Sequence, residues 1–500
     1  MVSIQFHLLP SILKSTSIMN CFSQWTCARV SILLVAGISL MLNPSAGSAD
    51  ERPNVLFLFA DDFTYEAISA FGHTDIETPN LDRLVTRGAT FTHAYNMGSW
   101  SGAVCVASRN MLITGRSVWR AEAVSKSTED ERIAGRLWPQ LLKSAGYDTY
   151  MTGKWHIQAN PELTFDVTKH VRPGMPKTVE SSYNRPKDGQ PDDWSASDKS
   201  LGGFWEGDKH WSEVGADDAI EFIGMAKEKK NPFFMYIAFN APHDPRQSPQ
   251  EFLDKYPVER MKVPASFLPD YPYKDAIGCG PDLRDEKLAP FPRTKKSIQV
   301  HRREYYALIT HLDQQIGRIL DSLEKSGKAD NTWIFFTADH GLAVGNHGLV
   351  GKQNMYDHSI RVPLIAVGPS AKKGQKISAP VYLQDVMATT LDLAKVSKPK
   401  AVEFNSLMPL LRGEAQDSAY KAIYGAYLQL QRCVVADHWK LIVYPKAKAT
   451  RLYDLKNDPL ELHDLTDAPG QANKKKELFS KLFDLQSQFG DSLQIKNLND

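Results

Sequence analysis

The chain has 500 residues, 42% of them hydrophobic and 23% charged, with a formal net charge of +1. That composition is ordinary for a soluble globular enzyme and supplies enough apolar material for one large domain and a smaller one. A near-neutral balance gives no global field that would recruit nucleic acid or an acidic membrane, so any anion chemistry has to be built locally.

At the N-terminus, "VSILLVAGISLML" (30–42) comes after Arg29 and runs into the small-residue stretch "PSAGSA" (44–49). This is the pattern of a secretory signal peptide, shorter than a comfortable membrane span. Residues 1–49 are therefore read as an export signal, with an N-terminal anchor as the alternative reading. A periplasmic or secreted protein without stable membrane insertion is expected, in a compartment where disulfides are allowed. Removing the signal takes away Cys21 and Cys27 and leaves Cys105, Cys279 and Cys433. Three is an odd number, so at least one thiol is unpaired or modified.

Downstream lie four continuous apolar runs, each rich in β-branched or aromatic residues: "NVLFLFA" (54–60), "YDTYMTG" (147–153), "PFFMYIAF" (232–239) and "TWIFFTA" (332–338). Lacking polar alternation, they predict strands buried on both faces, hence an α/β fold with a largely parallel central sheet flanked by helices. The stretch from 162 to 214 is irregular and rich in Pro, Gly, aromatic and basic residues, and long irregular insertions commonly serve binding. Trp194, Trp205 and Trp211 are candidates for stacking on sugar rings, and His170, Arg172 and Arg185 for meeting anionic groups. In "YYALITHLDQQIGRILDSLEKSG" (305–327), Leu308, Leu312, Ile316, Ile319, Leu320 and Leu323 share one helical face, and Gly327 closes the helix. From about residue 416, short strands and then the helix "KKKELFSKLFDLQSQFG" predict a small antiparallel sheet packed with one helix, so that 50–415 and 416–500 read as two domains.

The residues just beyond the strand ends carry the chemistry. Asp61 and Asp62 come after the first strand, Lys154 and His156 after the second, His243 after the third, and Asp339 and His340 after the fourth. The carboxyl ends of parallel strands share one edge, where ligands bind. Any one of these residues has a structural explanation as a helix cap or a hydrogen-bonded histidine. Charge after all four strands is much harder to assign to caps. Converging carboxylates repel unless a cation sits between them, and oxygen ligands suit Ca²⁺ or Mg²⁺, while the His340 imidazole leaves Mn²⁺ or Zn²⁺ open. Lys352 adds a further positive group, so the rim is suited to an anion. The nucleophile candidate is Cys105 in "WSGAVCVASRNMLITGR" (100–116), although a soft thiolate is mismatched to a hard ion and an oxygen nucleophile would fit better.

"CVASR" with "TGR" downstream resembles the type I sulfatase motif, in which Cys-x-(Pro or Ala)-x-Arg is converted to formylglycine. The resemblance extends over "NVLFLFADD", "TPNLDRLVTRGATFTHAY" (78–95), "GYDTYMTGKWH" (146–156), "APHDP" (241–245), "TADHGLAVGNHGLVGK" (337–352) and "IRVPLI" (360–365), in the family's order. It implies an alkaline-phosphatase-like sulfatase domain releasing sulfate from a sulfated carbohydrate. By the same resemblance Cys105 matures to formylglycine, through a formylglycine-generating or equivalent maturation enzyme, and joins Asp61, Asp62, Asp339 and His340 around the metal. Arg109 would steady the modified side chain, and Lys154, His156, His243 and Lys352 would contact the sulfate. His347, in the 337–352 segment, is placed with Trp205 and Arg172 on the substrate side. Ala107 departs from the proline that many members carry. Hydrated formylglycine is a geminal diol, an oxygen nucleophile, and a nearby cation lowers the pKa of an attached hydroxyl. His156 would take the second hydroxyl's proton so that the sulfated adduct expels sulfate, and His243 or Lys352 would protonate the leaving alcohol. Two other readings keep the fold: a phosphonate or phosphodiester hydrolase, and a catalytically silent sulfated-glycan-binding protein with Cys105 unmodified.

Overall fold

Strand formation tracks the apolar runs closely. In the computed structural model, which describes residues 52–72 and 75–495, strands occupy Asn54–Ala60, Asp148–Lys154, Phe233–Ala238 and Thr332–Ala338. The export signal read at 1–49 lies outside the described residues. The first and last of these strands are buried at every position, as continuous apolar runs in a two-sided sheet require.

These strands form the centre of a nine-stranded sheet. Across its middle the order is Thr332–Ala338, Asn54–Ala60, Phe233–Ala238, Asp148–Lys154 and Val167–Arg172, all parallel. On the other side Arg361–Val367 runs antiparallel between Thr332–Ala338 and Ala89–Tyr95. Register places the functional ends together: Ala60 pairs with Ala338, and Ala238 with both Phe59 and Gly153. Asp61, Asp339 and Lys154 thus leave the sheet side by side. Gly153 is required there, since its φ is +91° and a Cβ would run into the Ala238 carbonyl.

The helix expected around 305–327 spans Lys295–Lys325, with the Thr294 side chain accepting from the Ser297 amide at its start and Gly327 at φ +77° just beyond its end. Its predicted apolar face is buried. The helix reaches the site directly, because the Tyr305 hydroxyl donates to the Asp62 carbonyl at 2.6 Å.

Toward the C-terminus, Ile423–Tyr427, Gln431–Ala436, Trp439–Tyr444 and Ala449–Asp454 form an antiparallel meander, followed by the helix Ala472–Phe489. A fifth strand comes from far upstream: Gly98–Ser99 pairs parallel with Ala426 and Tyr427. The small sheet therefore grips the segment leading into Cys105. Among the described residues no helix is long and apolar enough to cross a membrane.

Candidate active site

Cys105 sits in the first turn of the helix Val104–Thr114, buried at that helix's N-terminal end. Arg109, one turn on, is fully buried; its Nε donates to Asp339 Oδ2 at 3.1 Å and its Nη1 to the Lys154 carbonyl at 3.0 Å, with the Phe59 ring beneath it. One guanidinium thereby ties the Cys105 helix to two strand ends. Ser108 adds a hydroxyl donated to the Asp339 carbonyl at 2.7 Å.

Ligand atoms of Asp61, Cys105, Asp339 and His340 all lie within 4.8 Å of one another. Asp62 stands beside them, its Oδ1 3.3 Å from His340 Nε2, with its backbone in the left-handed region at φ +63°. His340 bonds the Gly341 carbonyl through Nδ1 at 3.0 Å, which turns Nε2 toward the acids. That Nε2 and Asp61 Oδ1 are buried without a hydrogen-bond partner. Burial, then the neighbouring Asp61 charge, pushes Asp339 up to about 7. Burial would likewise raise Asp61, but the Lys154 ammonium, which bonds its Oδ2, holds it well below the usual carboxylate range. His340 is lifted to about 9 against the effect of burial by Asp339 and Asp62. Crowded carboxylates, an imidazole with a free inward nitrogen and an orphaned carboxylate oxygen form a donor set that fits a divalent cation.

A ring of cations and histidines surrounds this group. Lys352 Nζ donates to both Asp62 oxygens at 2.8 and 2.9 Å and reaches Asp285 Oδ1 at 3.2 Å. His243 Nδ1 lies 2.7 Å from the Asp244 carbonyl, leaving Nε2 4.0 Å from Asp62 Oδ2. Burial would lower the His243 pKa, but Asp62 and Asp244 outweigh it and the net shift is upward. Burial would also raise the Cys105 thiol, yet Lys154, Lys352 and hydrogen bonds with His156 and His243 hold it well below its usual range. Cys279 and Cys433 differ: both are buried and free, and burial pushes both thiols up, Cys433 to about 12. Among the described cysteines only position 105 is electrostatically activated.

The group opens into a cavity of about 450 Å³ lined by Cys105, His156, His243 and Lys352 together with Gly102, Ala103, Gly174, Met175, Leu283, Arg284 and Asp285. A volume of this size is typical of small-molecule sites. Met175, Leu283, Arg284 and Asp285 were not identified from the sequence. Arg284 and Asp285 lie in the irregular stretch "PDLRDE" (281–286), which no apolar run precedes.

Three residues expected on the substrate side are not brought to the cavity. Arg172 ends an edge strand, where its guanidinium pairs with Glu206 and stacks over Trp211 at 4.6 Å. Trp205 lies in a two-stranded hairpin under Lys199, 5.0 Å from the ring centroid. His347 is buried, stacked on Tyr356 with ring centroids 3.8 Å apart, and bonded through Nε2 to the Glu461 carbonyl at 2.9 Å. The other insertion candidates are spent in the same way: Trp194 packs under Arg185, Arg185 pairs with Glu304 and Asp192, and His170 with Asp218. For the arginines the physical reason is charge neutralisation, since a cation taken out of water is held by partners inside the protein, whereas His347 is kept uncharged by burial and is held by stacking and its hydrogen bond. Accordingly Arg172→Ala and Trp205→Ala are expected to leave kcat and KM on a sulfated monosaccharide within about twofold, measured as released sulfate; a tenfold rise in KM would return these residues to the binding site. Arg116, beside the motif, pairs with Glu131 at 2.9 Å.

A family model described as Sulfatase matches residues 53–396, and one described as N-sulphoglucosamine sulphohydrolase, C-terminal, matches residues 345–488. The chain is 28% identical over 542 aligned positions to an N-acetylglucosamine-6-O-sulfatase of Bacteroides thetaiotaomicron, with 92% of this chain and 91% of that protein covered. A solved structure described as a complex with its substrate D-glucosamine-2-N,6-O-disulfate superposes with a TM-score of 0.70 at 27% identity, covering 89% of this chain and all of that one. The phosphonate monoester hydrolase of Agrobacterium radiobacter shares the fold, with a TM-score of 0.69 at 20% identity over 88% of this chain and 96% of that one. With the sulfatase model matched over most of its length and the sequence motifs gathered around one cavity, this chain belongs to the sulfatase family, within the alkaline-phosphatase-like superfamily.

Proposed function

We propose that this sulfatase removes sulfate from a sulfated carbohydrate, using a formylglycine derived from Cys105 and a divalent cation, Ca²⁺ in first place with Mg²⁺ or Mn²⁺ as the alternatives. The observation that carries this reading is that Cys105 stands both in the acidic group and in the wall of a cavity that His156, His243 and Lys352 also line. The carbohydrate substrate class is supported by the similarity to a relative named for an amino-sugar sulfate and to a structure holding a sulfated glucosamine.

Asp61, Asp62, Asp339, His340 and the residue at 105 would hold the cation. When bound, the cation supplies Lewis-acid polarisation, and the formylglycine hydrate supplies an oxygen nucleophile. The chain's own residues do the rest. Arg109 fixes the position of Asp339 and of the Cys105 helix. Lys352 Nζ, shared between Asp62 and Asp285, is held charged: burial works against the ammonium, but those two carboxylates lift its pKa well above the usual range. It therefore acts as an anion clamp, and Lys154 supplies a second buried positive charge. His243, with Nδ1 engaged by Asp244, presents Nε2 to the cavity and carries there the proton for the leaving alcohol. His156 accepts the proton released at position 105. General acid–base help of this kind typically contributes about 10²- to 10⁴-fold.

Residues 1–49 carry the proposal of export to the periplasm or medium. The experiment that tests the reading compares kcat/KM on defined sulfated saccharides, N-acetylglucosamine 6-sulfate among them, with kcat/KM on a phosphodiester. Faster sulfate release is expected. A preference for the phosphodiester would replace this reading with the phosphonate or phosphodiester hydrolase alternative.

A further inference from the structure

His156 is held in an unusual way. It lies just beyond the strand Asp148–Lys154, with its backbone in the left-handed region at φ +59°, a conformation uncommon outside glycine. Its Nδ1 is buried without a hydrogen-bond partner. Besides its hydrogen bond with Cys105, therefore, this ring has no hydrogen bond through Nδ1 to hold it, and packing supplies the rest of its orientation.

The packing surface is Gly174. The strand Val167–Arg172 runs parallel beside Asp148–Lys154, and the Trp155 amide donates to the Arg172 carbonyl at 3.3 Å. The two chains thus leave the sheet edge together, and Pro173–Gly174 passes alongside His156. A Cβ at Gly174 would sit 2.5 Å from His156 Nε2 and 2.9 Å from Nδ1, and closer still to Cε1. The φ of Gly174 lies outside the left-handed region, so its backbone does not demand glycine. The imidazole does. The segment is pinned from behind by Asn240, a buried residue whose Nδ2 donates to the Pro173 carbonyl at 3.0 Å and approaches that of Gly174 at 3.5 Å. The Asn240 carbonyl accepts from the His243 amide at 3.0 Å, so one residue braces the supports of both cavity histidines.

We infer that Gly174, held by Asn240, is a positioning residue for the His156 imidazole. The inference rests on the proposed role of His156 in turnover. In that role a side chain at 174 pushes the ring off its proton-transfer geometry without altering the cavity's charges. Misplacement by about 1 Å can cost on the order of 10²-fold in rate.

The test is a double-mutant cycle in enzyme shown by peptide mass to be equally matured at Cys105. Gly174→Ala is expected to lower kcat by tenfold to about 10²-fold with KM nearly unchanged, and to add no further loss in a His156→Ala background. Asn240→Leu, which removes the amide donor at similar volume and adds no charge, provides a second route if Gly174→Ala does not fold, with the same coupling to His156→Ala expected. Equal losses in both backgrounds, or kcat at the parent value in Gly174→Ala, overturn the inference. Full activity in His156→Ala alone would instead overturn the role proposed for His156.

Discussion

Cys105→Ala is expected to abolish sulfate release while leaving the fold and substrate affinity in place. The side chain is small and buried in the first helical turn, and alanine keeps that helix while removing the thiol whose maturation would leave the aldehyde at Cβ. Removing a covalent nucleophile from a preorganised site typically costs on the order of 10⁶-fold in kcat. The surrounding cations would remain, with Lys154 still on Asp61 and Lys352 still on Asp62, so binding of a sulfated saccharide should persist within a few-fold. The measurement is sulfate release against calorimetric binding of the same saccharide. Cys105→Ser is the more discriminating variant, because a serine hydroxyl offers attack without the second hydroxyl needed for elimination, so the peptide containing residue 105 should retain sulfate after one turnover. Multiple turnovers by either variant would remove position 105 from the chemistry.

Asp339→Asn should carry the second-largest effect, for two separable reasons. The carboxylate belongs to the acidic group and is also the buried partner of Arg109. Neutralising it withdraws a charged ligand atom and leaves a fully buried guanidinium without its carboxylate, and breaking a buried pair from one side costs about 3–5 kcal/mol. A lower Tm and a drop in bound divalent metal by elemental analysis are expected together, with kcat/KM reduced by more than about 10²-fold. Chelation of the parent enzyme separates the two contributions: metal and activity should be lost while the Arg109–Asp339 pair stays intact, and re-addition of Ca²⁺, Mg²⁺ or Mn²⁺ should restore turnover to different extents. Activity that survives exhaustive chelation would exclude a cation from the mechanism.

The main sheet was readable because burial on both faces leaves a direct mark on composition. "NVLFLFA" and "TWIFFTA" are the complete strands, and the polar residues immediately after them are the ones the parallel register sets side by side. The C-terminal sheet was readable as hairpins but not as a five-stranded unit, because Gly98–Ser99 is too short to carry a pattern and its partner at Ala426 and Tyr427 is more than three hundred residues away.

On the substrate side, residue type and position determine very little. Arg172, Arg185 and His347 all had the right chemistry for an anion or a sugar. Whether such a group faces a ligand depends on which distant partner takes it up: Arg172 is neutralised by Glu206, 34 residues on, and Arg185 by Glu304, 119 residues on, while His347, kept uncharged by burial, is held by a hydrogen bond to the Glu461 carbonyl, 114 residues on. The sequence by itself determined the central parallel strands and the charged residues that come after them, since these depend on hydrophobic period and on adjacency to strand ends, while Cys105 stood out only through the resemblance of its motif. Only the tertiary structure decided the cavity wall of Met175, Leu283, Arg284 and Asp285, and the seat of His156 against Gly174. Those features are steric and electrostatic matches between distant segments, and no local pattern encodes such a match before the chain has packed.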